Sequence, residues 1–360
     1  MKLRLLTGDD VRRCLTMPRA IDLMADSFKA LSGGQVEAPL RTKITSAAGT
    51  MLYKPALLQS AGIFIVKAVS VFPGNAARKL PVTTGLLLVN DASTGLPLAL
   101  MDAEHLTALR TGAASGLACR LLANPDVKRA ALFGAGGQAR CQLEALLCTA
   151  PLEVVYVFSR SHESAEALCR EFANCGPISP KSGERYDAIN EEADEKTPTS
   201  AKSGHSWRTL TGWCQLIPNP DRSVLRTCGI ISTATTSCTP VFADDEIGSG
   251  THINGVGSFT PAMAEVPAET VCRATVFVDQ RAACLGEAGD LRQPMDRGML
   301  AADFRPAELG EVVLGTAAGR PSRDALTFFK SVGNAAQDVI CAAEILKRAE
   351  ADGIGTMIDV

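Results

Sequence analysis

Two groups of residues have types and spacings that could do chemistry. The first is the run ALFGAGGQA, in which Gly134, Gly136, Gly137, Gln138 and Ala139 lie between an apolar strand-like stretch and an amphipathic one. In a strand–turn–helix setting the first glycine permits the tight turn and the second lets backbone N–H groups approach a pyrophosphate. The small Ala139 allows close helix–strand packing. This pattern predicts a dinucleotide site. About twenty-five residues on, VVYVF ends in Ser159, Arg160 and Ser161, where an NAD site carries an acid that accepts from the ribose hydroxyls. An acid would repel a 2′-phosphate, whereas an arginine offers it a planar two-toothed fork, with serine hydroxyls alongside. NADP(H) is therefore the preferred cofactor, with NAD(H) possible.

The second group is cationic. Lys67 sits in GIFIVKAVSVF with apolar residues on both alternating faces. A buried ammonium is costly unless paired, so Lys67 needs a carboxylate partner or a bound anion, unless it faces solvent. Arg41 in PLRTKI and Arg110 in LTALRTGAA add cations near predicted element ends. Singly, each reads as an ordinary surface arginine. Thr111 is expected to cap a helix following Arg110, whose N-terminus could face an anion.

The elements that must position these residues fall into two textures. Up to about residue 125, TGDDVRRCL reads as a capped helix start, with Thr7 as N-cap and Asp10 three residues on. A second helix is expected over Thr16–Leu31, followed by strand-like runs separated by Pro, Gly and Asn-Asp turns. These predict a mostly antiparallel sheet. From Val127, apolar strands alternate with helices, as in a doubly wound parallel sheet. The final ALTFFKSVGNAAQDVICAAEILKRA reads as an amphipathic helix with its entry turn, returning to the first domain. The fold class is thus α/β: a Rossmann-type sheet over 126–324, beside an α+β domain formed by 1–125 with 325–360. The polar stretch at about 180–222 is expected to be an inserted surface loop.

A formal charge of −3 and a pI near 5.9 give no general basic field, so nucleic acid is not an expected partner. The amino terminus lacks the apolar core of a signal peptide, and the most apolar run is too short for a membrane span. Twelve cysteines without a CxxC pair read as reduced thiols of a cytoplasmic protein. Four histidines, none spaced as a metal pair, predict no metal site.

The ordered motifs KAVSVFPGNAARKLPVTTGLLLVNDASTGLPLALMDAEHLTALRTGAASGLA, FGAGGQA, GTHINGVGSFTPAMAEV and FKSVGNAAQDV resemble the ornithine cyclodeaminase/mu-crystallin family across the chain outside the insertion. The resemblance implies a homodimer whose first domain binds a small amino or imino acid. It places Arg41, Lys67 and Arg110 on the substrate carboxylate, and Thr111 and Gly112 by the cofactor phosphates. Thr233, Ala234 and Thr235 fall on the ribose side, with Val256 and Ser258 in the nicotinamide pocket. Asp338 matches a family acid near the domain junction, read as structural. One departure stands out: the acid that handles the amino group in the cyclodeaminases is replaced here by Ser237, which cannot serve as a carboxylate base. The resemblance therefore implies an NADP(H)-dependent reductase of a small cyclic 2-imino acid such as 1-pyrroline-2-carboxylate, with Lys67 assisting at the C=N bond, or a dehydrogenase of an amino acid such as alanine. The rivals are an NAD-dependent ornithine cyclodeaminase and an NADPH-dependent ligand-binding protein of mu-crystallin type.

Overall fold

A computed structural model of the chain describes residues 2–174, 205–209 and 212–360. Two compact units emerge, Met1–Arg110 with Gly333–Val360, and Thr111–Val332. The first boundary falls inside a continuous helix, upstream of the change in sequence texture near 125. Composition cannot register a break that the backbone itself does not make.

In the first unit, elements are numbered along the whole chain. Strand β1 (Lys2–Leu6) leads into α1 (Gly8–Cys14) and α2 (Met17–Ser32). Thr7 and Asp10 form the expected reciprocal capping box, with Asp10 N donating to Thr7 Oγ1 at 3.2 Å and Thr7 N to Asp10 Oδ2 at 3.0 Å. The sheet follows: β2 (Val36–Glu37), β3 (Thr42–Thr45), β4 (Thr50–Leu58), β5 (Ile63–Val71), β6 (Thr83–Asp91) and β7 (Pro97–Asp102), before α3 (Ala103–Leu122). Helix α10 (Ala335–Ala351) and strand β17 (Thr356–Asp359) close the unit. The strand order is β17-β1-β7-β6-β5-β4-β2, with β3 on β4, antiparallel except for the β1–β7 pair. The two terminal strands pair with each other at one edge of the sheet, β1 against β7 and β17 outermost, and lie in stretches too short and mixed to announce themselves.

Alternation along β5 is strict at its start. Ile63, Ile65 and Lys67 are buried, whereas Phe64 and Val66 are exposed. The period-2 pleat thus sends Lys67 to the core face. The opposite face is apolar yet open, with Ile44, Phe64, Val66 and Leu86 all exposed. Cross-strand register puts these four on one side of the sheet.

The second unit is a Rossmann-type fold. Strands β8 (Arg129–Phe133) and β9 (Val154–Phe158) alternate with α4 (Ala139–Thr149) and α5 (His162–Asn174). Then come β10 (His205–Thr209), β11 (Gly212–Pro218), β12 (Ile230–Thr233), β13 (His252–Gly255), α6 (Ala268–Arg273), β14 (Thr275–Val278), α7 (Arg281–Glu287), α8 (Gly289–Asp296), β15 (Ala307–Glu308), α9 (Leu309–Val313) and β16 (Thr327–Lys330). The order β10-β11-β9-β8-β12-β13-β16-β14-β15 is parallel except where β10 meets β11. Apolar side chains from Leu132, Val155, Val157 and Ile230 meet α4 through Leu143 and Leu146 on one face. Ile231, Ile253 and Phe328 pack on the other.

Two expectations need correction. TFFK is not the entry turn of the last helix but β16, fully buried between β13 and β14. A four-residue apolar run carries no period that separates strand from helix. The expected inserted loop at 180–222 also ends earlier: Gly212–Pro218 is β11, hydrogen-bonded to β9 in parallel. Residues 180–204 of that stretch lie outside the described residues. No helix among the described residues is long and apolar enough to cross a membrane.

Candidate active site

In the second unit, the glycine turn joins β8 to α4. Gly134 takes φ +113°, and a Cβ there would come 2.5 Å from the Ala234 carbonyl oxygen, so only glycine fits. Around Gly136 and Gly137 the Cβ positions are open. The α4 N-terminus at Gln138 and Ala139 has no side-chain cap, which leaves first-turn N–H groups for an anion. A cleft of about 640 Å³ opens over this turn, lined among others by Gly134, Gly136, Ser159, Arg160, Ala234 and Thr235. Open glycines, an uncapped helix start and a cleft over them fit a dinucleotide.

At the far strand the expected residues separate. Ser159 and Arg160 line the cleft, Arg160 exposed and positively charged, with no acid at the strand end. Ser161 does not line it. Its hydroxyl donates to Glu163 Oε2 at 2.6 Å and accepts from Ser164 N at 3.2 Å, so it caps α5. Ser164 lines the cleft in its stead. Asn219, in a left-handed conformation at φ +40°, grips the strand end: Ser159 N donates to its Oδ1 at 2.7 Å and its Nδ2 to Ser159 O at 3.0 Å. Arg222 also borders the cleft, its guanidinium 5.8 Å over the Phe133 ring and bonded to Glu246. Sequence reasoning missed Asn219 and Arg222, because strand β11, which leads to them, lay inside the supposed loop.

At the end of β12 Thr233 is buried, and beyond it Ala234, Thr235 and Ser237 reach the cleft. Ser237 donates to the Thr239 carbonyl at 2.5 Å, so no carboxylate stands at that place. Val256 hydrogen-bonds back to Thr233 O, and Ser258 turns its hydroxyl to Met263 O at 3.0 Å. Glu265, also missed, ties these loops together. It is fully buried and accepts from Thr235 N and Oγ1 at 2.6 and 2.8 Å and from Gly257 and Ser258 N–H groups at 2.6 and 3.0 Å. Burial raises its carboxyl above the ordinary range, and Lys330 and the Thr235 donors only partly offset this.

Thr111 requires a further correction. Helix α3 starts eight residues before it, with Asp102 Oδ1 accepting from His105 N at 2.8 Å, so Thr111 is interior and caps nothing. Gly112 beside it has no room for a side chain against the backbone of Cys141 in α4.

In the first unit, Lys67 and Arg110 meet around Asp338 in the first turn of α10. Lys67 Nζ donates to Asp338 Oδ1 at 2.6 Å and to Thr107 Oγ1 at 3.0 Å. Arg110 Nε donates to the same Oδ1 at 3.1 Å, and its Nη1 to Gln337 Oε1 at 2.7 Å. All three charged groups are at most 4% exposed. A fourth, Lys54 on β4, is 6% exposed and donates to the Gly333 carbonyl at 3.0 Å. Arg41, just before β3, is half-buried, and its charge acts on Lys54.

One carboxylate therefore serves several cations, and the ionisations follow. Asp338 is buried, which alone would raise it, but Lys67 and Arg110 hold it down at about 2. Burial lowers Lys67 to about 8, and Asp338 only partly offsets this because Arg110 repels it. Asp338 Oδ2, Gln337 Nε2 and Asn334 Nδ2 find no protein partner among the described residues. Such an arrangement suits a small anion with hydrogen-bonding groups of its own.

A glycine turn on a doubly wound parallel sheet, in a chain whose other unit is α+β and carries a buried cation cluster, defines a Rossmann-type enzyme. The family model described as ornithine cyclodeaminase/mu-crystallin matches residues 1–179 and 219–353, and the chain belongs to that family. It is 31% identical to a Delta(1)-pyrroline-2-carboxylate reductase of Bacillus cereus, covering 98% of this chain and 99% of that protein. Among solved structures it resembles Thermococcus litoralis Delta(1)-pyrroline-2-carboxylate reductase in complex with NADH and L-proline, at 33% identity and TM-score 0.84 over 99% of this chain and 100% of the other. An archaeal alanine dehydrogenase dimer with bound NAD matches at 27% identity and TM-score 0.84, over 100% and 99%.

Proposed function

We propose that this protein reduces the C=N bond of a small cyclic 2-imino acid, with 1-pyrroline-2-carboxylate the leading substrate. The observation that carries this reading is the buried cluster in which Lys67 and Arg110 share the carboxylate of Asp338, with Lys54 beside them bonded to the Gly333 carbonyl. Such an excess of buried positive charge is costly until an anion joins it, and the anion common to imino and amino acids is the 2-carboxylate. In this role Arg41 and Arg110 hold the carboxylate, and Lys67 completes the clamp and orients the imine. The reduced nicotinamide, when bound, supplies the hydride. Oxidative deamination of a small amino acid such as alanine would use the same clamp.

Arg160 and Ser159 at the strand end, without an acid, support NADP(H) over NAD(H). The residues with named cofactor roles are Gly134, Gly136, Gly137, Gln138, Ala139 and Thr235, with Thr111, Thr233, Ala234, Val256 and Ser258 around them. The open apolar face bearing Ile44, Phe64, Val66 and Leu86 supports a homodimer through the first unit.

Assay of 1-pyrroline-2-carboxylate with each reduced cofactor tests the reading. Turnover that falls by about 100-fold or more in Lys67→Met, with cofactor binding retained, is expected. Absence of imine reduction together with release of ammonia from ornithine would favour the cyclodeaminase instead. Ser237, where those enzymes have an acid, argues against that second outcome.

A further inference from the structure

Lys54 is a basic residue of the cluster with no carboxylate in hydrogen-bond contact among the described residues. The register of the β4–β5 hairpin sets Lys54 directly opposite Lys67, so the two side chains share the buried face of the sheet. Residues so paired stand about 5 Å apart at Cβ, and like charges there repel. Lys67 is compensated by Asp338, and so is Arg110. Among the described residues, Lys54 finds only the neutral Gly333 carbonyl.

We propose that Lys54 is a proton-loading residue: it rests as a neutral amine, takes up one proton when the substrate carboxylate enters the cluster, and delivers that proton to the imine nitrogen. The inference rests on the reductase reading above and extends it to the proton source. The entering anion is what makes a second ammonium on this face tolerable, so binding and protonation are thermodynamically linked. The reaction then balances. As the imine carbon accepts the hydride, the C=N π pair moves to nitrogen, which bonds the Lys54 proton. Lys54 returns to the neutral amine with which it began.

The charged and titratable groups acting on Lys54 are Lys67 from β5, Arg110 from α3, Asp338 from α10 and Arg41 ahead of β3. Burial first, then the repulsion of Lys67 and Arg110, pushes Lys54 well below the ordinary lysine range. Near pH 7 Asp338, at about 2, is ionised and Lys67, at about 8, is mostly charged. Cys341, close to Asp338, lies at about 12 and stays a thiol. Proton uptake near neutrality that disappears with the Lys54 amine therefore reports on Lys54.

The test is isothermal titration of the full-length protein with pyrrole-2-carboxylate, a planar carboxylate that cannot be reduced, in two buffers of different ionisation enthalpy near pH 7. Wild type is expected to take up about one proton per ligand bound. Lys54→Met should still bind, more weakly, without proton uptake. Lys54→Arg, permanently charged, should bind without uptake and lose about 100-fold in kcat, because it clamps a carboxylate but donates no proton. Binding by wild type without proton uptake, or undiminished kcat in Lys54→Arg, overturns the inference alone. A wild-type protein that neither binds the carboxylate nor reduces the imine overturns the proposed function, and this inference with it.

Discussion

Lys67 on β5 and Asp338 on α10 are separated by 271 residues in sequence and by 2.6 Å in space, Nζ to Oδ1. Strand, last helix and Arg110 thus converge on one carboxylate oxygen. Removing that carboxylate leaves buried cations facing each other. Asp338→Ala is expected to lose about 3–5 kcal/mol of stability in chemical denaturation. An unchanged midpoint would show that the ion pair does not hold α10 on the sheet.

Acid should loosen the same unit. The folded-state ionisation of Asp338, at about 2, lies below its ordinary value of 3.8. A depressed carboxyl contributes stability that is fully present above the unfolded value and lost as pH falls through the folded one. Melting temperature should therefore drop between about pH 4 and pH 2, and the drop should shrink in Asp338→Asn. A variant titrating like wild type would assign acid sensitivity elsewhere.

Arg160→Asp should reverse the charge presented to a ribose phosphate. The expected result is a loss of about 1.5–3 kcal/mol in NADPH binding, with little loss for NADH, measured by cofactor fluorescence. Equal weakening of both would separate Arg160 from phosphate recognition.

Phe64→Glu and Leu86→Glu place charges on the open apolar face of the first unit. If that face joins two copies, either change should shift the protein toward monomer in light scattering, with the Rossmann unit still binding cofactor. A dimer that persists in both variants would place the interface elsewhere.

How far the sequence reached depended on whether a feature was local. The glycine turn was legible because its backbone conformation is one that few residues adopt. The Thr7 cap was legible because its partner is three residues away. Lys67 was legible as an anomaly, an ammonium amid apolar neighbours, but its partner was not, since nothing local joins β5 to α10. Thr111 and Ser161 were misjudged because each type has two common uses. One sits inside a helix and the other caps one. Lys54 could have been found: the short turn at Gln59–Ala61, with Gly62 in the left-handed region, fixes the register that sets it across from Lys67. Glu265 had no such signal, since its four donors come from two loops ordered only by the fold.

The shared carboxylate of Asp338 also bears on how this protein behaves in ordinary buffers. A pocket with more positive than negative groups does not select among small anions by charge alone. Acetate, formate or chloride in millimolar excess competes for the place a substrate carboxylate would take, so apparent affinities should depend on the identity of the counter-ion as well as on ionic strength. If the cluster holds a cyclic imino acid as proposed, discrimination must then come from the neutral remainder of the ligand, the ring and its nitrogen, and not from the carboxylate.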